Sequence, residues 1–140
     1  MKPNLNFYLQ KINTFVQTTE ELGEGMNPFY EKVRQAIDDG RTENLTADEL
    51  TEVHEKFVQG VEAYRQLQEM LTGLRAPAKV MGIHKRLEKT FAKYVAACQK
   101  MTTAVENQVD ADSFDASEKE QDEATDEITF CIQRLTQLLR

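Results

Sequence analysis

The sequence predicts an all-α protein, an antiparallel up-down-up-down four-helix bundle forming one domain over residues 1–140. Three observations carry this. Two stretches thirty residues apart repeat the same side-chain types at the same spacing: Leu50, Val53, His54, Phe57, Val61 and Tyr64, then Val80, Ile83, His84, Leu87, Phe91 and Tyr94. Steps of three and four between the apolar members hold them on one face of a helix. The three prolines and six glycines fall almost entirely where a helix should start, bend or stop. Short connections then force consecutive helices to lie antiparallel.

The first helix follows from Leu5, Tyr8, Ile12, Phe15, Leu22, Met26, Phe29, Val33 and Ile37, which stay in helical phase until Gly40 ends the run. Gly23, Gly25 and the Asn27-Pro28 pair interrupt it. A proline removes one backbone hydrogen bond and crowds the preceding turn, so the helix is expected to be kinked between Gly23 and Pro28.

Thr46-Ala47-Asp48-Glu49 opens the second helix as a capping box, with Leu45 and Leu50 as its hydrophobic staple. Its stripe continues through Leu67, Leu71 and Leu74. Gly73 is placed for a left-handed C-cap, and Pro77 for the first position of the third helix. That helix is predicted to run to about Gln108 on Val80, Ile83, Leu87, Phe91, Tyr94, Cys98, Met101 and Val105.

The fourth helix is expected to begin between Ser113 and Ser117, where Ser117-Glu118-Lys119-Glu120 reads as a second capping box. Ala124, Ile128, Cys131, Leu135 and Leu138 form its apolar side. Its first two turns are almost wholly polar, which places them at the bundle rim. The expected core draws Ile12, Phe15, Leu22, Phe29 and Val33 from the first helix, and Val53, Phe57, Val61, Leu67 and Leu71 from the second. Ile83, Leu87, Phe91, Cys98 and Met101 come from the third, and Ile128, Leu135 and Leu138 from the fourth.

Composition narrows the function. A chain of 140 residues with 40% hydrophobic and 29% charged side chains buries a core without staples. The net charge of −7 argues against nucleic acid and anionic lipid, both of which ask for a basic excess. No apolar run approaches the roughly 18 residues of a membrane span. Asn and Gln interrupt what would be a signal peptide's apolar stretch, so a cytoplasmic protein is expected. Cys98 and Cys131 fall on apolar stripes, offset by about 7 Å across a hairpin centred near Asp112. That offset disfavours a disulfide.

Candidate chemistry is sparse. His54 and His84 stand at equivalent stripe positions, but antiparallel packing separates them by about 18 Å in height. Thr51 and Met81 occupy the positions three before each histidine, where a di-iron bundle needs Glu. Both are read as hydrogen-bonded structural residues. Between Glu106 and Glu127 ten carboxylates accompany one lysine. A calcium loop starting at Asp110 fails, because Phe114, Asp115 and Gln121 stand at its fifth, sixth and twelfth positions. The acids read as a solvated rim with ordinary pKa values. No Gly-x-Ser-x-Gly, P-loop or dinucleotide fingerprint is present. Tyr8, Tyr30, Tyr64 and Tyr94 are expected as core or rim aromatics with solvated hydroxyls.

Between residues 75 and 100 there are seven Lys or Arg and one Glu, with Lys79, Arg86, Lys93 and Lys100 recurring every seven residues. Such a stripe either pairs with acids on neighbouring helices or docks an acidic partner. The expected function is a non-enzymatic cytoplasmic interaction or scaffold module without cofactor or metal, using Lys79, Arg86, Lys93 and Lys100 for partner binding. The alternatives are a ligand- or metal-binding bundle with a pocket beside Met26, Phe29 and Tyr30, or an immunity-type toxin-neutralising protein. A homodimer is also foreseen. The seam beside Val105 is expected to be thinly covered, and the acidic and basic segments would attract one another between copies.

Overall fold

The structure, a computed structural model, describes residues 4–139; positions 1–3 and 140, part of the expected single domain, lie outside that range. Four α-helices pack against one another as a four-helix bundle, with no strand among the described residues: α1 (Leu5–Asp38), α2 (Ala47–Gly73), α3 (Met81–Ala104) and α4 (Ala111–Leu138). Short 3-10 turns, Thr42–Asn44 and Ala78–Val80, precede α2 and α3.

Local chemistry sets most boundaries. Asn4 caps α1 by accepting the Phe7 N–H at 3.0 Å. The helix then runs unbroken through Pro28, which lies in an exposed stretch where a missing donor costs least. It ends on Gly40, whose φ of 66° suits only a residue without a Cβ. The Gly40 N–H reaches Ile37 O at 3.0 Å and the Arg41 N–H reaches Ala36 O at 2.8 Å, a Schellman closure. The capping box of α2 is complete: the Thr46 hydroxyl accepts the Glu49 N–H at 3.0 Å, and the Glu49 carboxylate accepts the Thr46 N–H at 3.1 Å.

Four sequence expectations change. Gly73 is the last helical residue of α2, and no left-handed cap forms there, because Leu74 turns straight into extended backbone. Pro77 is extended as well, so a 3-10 turn intervenes before α3 begins at Met81. At its far end α3 stops at Ala104 rather than Gln108, where the Asp110 N–H bonds the Ala104 carbonyl at 2.8 Å. Asp110 then caps α4 through the Ser113 N–H and hydroxyl, at 3.1 and 3.0 Å. Ser117 is therefore inside the helix, fully buried, with its hydroxyl donating to Phe114 O at 2.8 Å.

The start of α4 is not a polar rim. Phe114 and Val105 are both completely buried, so the seam beside Val105 is covered. They join Val33, Val53, Phe57 and Met101 in one apolar cluster, while Phe15, Tyr64, Leu71, Leu87, Phe91 and Leu135 belong to a second. Met26 touches both clusters. Of the expected core, Leu22, Phe29, Ile83, Ile128 and Leu138 are only partly buried.

The helices do not approach one another equally. Along α2 and α3, Leu71 meets His84 and Tyr64 meets Tyr94, so the two run in opposite directions past each other. α1 closes onto α2 at Gly60, where a Cβ would collide with the Met26 thioether. Backbones come together most between α3 and α4, whereas α1 meets α4 through side chains, Tyr30 on Glu118 and Phe114 and Arg34 on Asp115. Hollows remain along the α1–α4 side.

Candidate functional site: the cleft between α1 and α4

Two hollows adjoin at Tyr94 along that side. One, about 370 Å³, has Met26 and Tyr30 on α1, Phe57, Val61 and Tyr64 on α2, Tyr94, Cys98 and Met101 on α3, and Glu118, Gln121 and Asp122 on α4. The other, about 390 Å³, lies between Phe15, Val16, Thr19 and Glu20 of α1 and Thr125, Ile128, Thr129 and Ile132 of α4, over Phe91. Each falls in the roughly 300–1,000 Å³ range of small-molecule pockets.

The floor is aromatic. Tyr64 and Tyr94 meet edge to face with centroids 5.3 Å apart and hydroxyls 3.4 Å apart, and Phe91 stacks on Tyr94 at 6.0 Å. Burial pushes the Tyr64 hydroxyl up to about 12 and the Cys98 thiol to about 12. Burial also holds Tyr94 well above the ordinary tyrosine range. All three are neutral near pH 7, and a protonated thiol is a poor nucleophile.

The mouth is polar. The Glu118 carboxylate accepts the Tyr30 hydroxyl and lies 3.3 Å from the Arg34 guanidinium. Arg34 is shared with Asp115 at 2.9 Å and Asp38 at 3.2 Å and covers the Phe114 ring at 5.1 Å. Burial and the Asp122 carboxylate raise Glu118 above its ordinary value, and a guanidinium divided among three acids does not offset them. This corrects the expectation that every carboxylate keeps an ordinary pKa. Gly23, on the α1 lip, has nothing within 4 Å of where a Cβ would stand.

The expected pocket beside Met26, Phe29 and Tyr30 is met at two of its three residues. Phe29 instead lies beneath the Lys32 and Lys56 ammonium groups, at 5.7 and 5.8 Å. A proline-interrupted stretch in a phased helix was the only sequence signal for the cleft.

The basic stripe lies on another face. Arg86 pairs with Glu127 at 3.1 Å and stacks over Phe130 at 4.8 Å, and Lys100 pairs with Glu120 at 3.1 Å. Lys93 borders the same α3–α4 groove as Glu120, Glu123 and Glu127. Lys79 is exposed on the 3-10 turn. Both cysteines are free and buried.

His84 is buried and bonded to Tyr8 and to Leu71, while His54 is half-buried near the start of α2. Tyr8 is completely buried, so its hydroxyl is not solvated as expected. Among the described residues no three His, Cys, Asp or Glu side chains stand where they could hold a metal, and no helix is long and apolar enough to cross a membrane. No family model matches the chain, and neither a curated protein nor a solved structure matches it.

Proposed function

We propose that this chain is a non-catalytic, cytoplasmic ligand-binding bundle whose site is the α1–α4 cleft. One observation carries the reading: two adjoining hollows lie between α1 and α4, and Tyr94, the ring they share, is partly exposed over the buried Tyr64 and Phe91. A scaffold needing only stability gains by closing that seam, since a void forfeits dispersion contacts along its lining. A thermal-shift screen of amphiphilic and apolar small molecules tests it. A ligand at a hundred times its Kd stabilises by about 2.7 kcal/mol, and Gly23→Phe, which places a ring at the cleft lip, should abolish every such shift. A flat screen on the native chain overturns the reading.

A second reading, docking of an acidic protein or a second copy on the α3 stripe, is favoured by Lys79 and Lys93. Both are exposed and, among the described residues, neither is in an ion pair. For self-association, light scattering decides. A charge-driven dimer falls to one chain as salt shortens the screening length below about 10 Å. A mass of one chain at low salt removes the dimer.

A further inference from the structure

Resting on the reading of the cleft as a ligand site, we infer that its ligand is a small amphiphilic cation, an alkyl or aryl body carrying an ammonium or similar head. The chemistry of the lining selects that class. Three carboxylates, Glu20, Glu118 and Asp122, border the two hollows, and no Lys, Arg or His lines either one. Both walls are free of bases over long stretches: α1 has no Lys or Arg between Lys11 and Lys32, and α4 has none between Lys119 and Arg134.

The carboxylates differ in what they have left to offer. Glu118 is already engaged by Tyr30 and by the shared Arg34. Asp122 and Glu20 are exposed at the lips and, among the described residues, have no ion-pair partner. An anionic ligand would meet Asp122 in one hollow or Glu20 in the other, and Arg34 is already shared among three acids, whereas a cation is attracted in either. Tyr30 and Tyr94 line the hollow and are partly exposed, each backed by a stacked Phe ring, and an aromatic surface attracts cations and accepts hydrocarbon equally well. The apolar tail is thus placed along the hollow against Tyr94, with the charged head at a lip carboxylate, Asp122 or Glu20.

The test compares octylammonium, 1-octanol and nonanoate by calorimetric titration of the full chain, three probes with one eight-carbon tail and different heads. Octylammonium should bind about tenfold more tightly than 1-octanol, with nonanoate weakest, and 0.5 M salt should narrow the first gap. Asp122→Asn with Glu20→Gln should bring octylammonium to the octanol affinity while leaving octanol unchanged. Gly23→Phe should lose all three, and because it replaces a helical glycine it should fold at least as well as the native chain.

Equal binding of the three probes overturns the cation inference and leaves the ligand-site reading standing. Binding by none of them, together with a flat thermal-shift screen, overturns both. Octylammonium binding that survives Gly23→Phe puts the ligand elsewhere and overturns the inference as well.

Discussion

The Tyr8 hydroxyl lies 2.9 Å from His84 Nδ1, and His84 Nε2 lies 3.0 Å from the Leu71 carbonyl. A carbonyl only accepts, so Nε2 carries the proton and Nδ1 accepts from the tyrosine. One imidazole thereby ties the start of α1 to the end of α2 and the first turns of α3. Burial, with the nearby Glu88 carboxylate, holds the Tyr8 hydroxyl far above the ordinary tyrosine range, so it remains a donor at any physiological pH. Removing that donor with Tyr8→Phe leaves Nδ1 buried and unpaired, and should cost about 1–3 kcal/mol in urea unfolding. His84→Leu on its own should also destabilise. The double variant should cost less than the two singles together, because each single strands the other's partner. Strict additivity would mean that the hydroxyl and the imidazole are not coupled.

Among the elements, the helix caps make stability depend on acid. The Thr46 N–H and hydroxyl hold the Glu49 carboxylate below its ordinary 4.5, and Ser113 holds Asp110 below its ordinary 3.8. A carboxylate lowered in the folded state favours folding above its unfolded pKa, and that contribution disappears as pH falls through the folded value. Glu118, raised by burial, acts in the opposite sense: its contribution is complete below 4.5 and is lost as pH rises through its folded value. Stability should therefore hold from neutrality down to the ordinary carboxylate range and fall below it. Thr46→Ala should lose about 1 kcal/mol at pH 7 and soften the acid limb only in part, since Glu49 loses the hydroxyl but keeps the backbone N–H of residue 46, the larger cause of its lowered pKa. Urea midpoints across pH check this, and an unchanged acid limb in Glu49→Gln would remove Glu49 from the account.

The α2 cap and the Gly40 closure were legible because each is settled within a few residues of chain. Asp110 and Ser117 are equally competent caps locally. The choice between them is made by Phe114, whose burial against the other helices fixes the phase of α4. The cleft was the least legible feature. It depends on the distance between the first and last helices, which no local pattern encodes, and only the glycines and proline of α1 hinted at it.

For the whole molecule, α1 is held unevenly. Tyr8–His84 fastens its first turns, and Tyr30–Glu118 with Arg34–Asp115 fasten its last third. Beyond Ile12 and Phe15, which are buried in the core with Phe15 against Phe91, α1 rests on α2 through Met26 and Gly60 and borders the cleft on its other side. The same stretch contains Gly23 and Gly25, each costing about 1 kcal/mol of helix propensity relative to Ala. Pro28 adds to this by leaving the Glu24 carbonyl without its helical donor. By contrast, Leu87, Phe91, Val95 and Cys98 of α3 are buried, and α3 packs closely on both α2 and α4. Local opening should therefore be easier in residues 20–30 than in residues 87–98, because segments with fewer buried contacts open below the global free energy. Amide hydrogen exchange should be about tenfold faster or more in the first segment, corresponding to roughly 1.4 kcal/mol less opening free energy. Saturating octylammonium should slow exchange in residues 20–30 and leave residues 87–98 as they were, since a ligand between α1 and α4 adds contacts only where the bundle is open. Equal protection of the two segments in the free chain would show that α1 is held as firmly as α3.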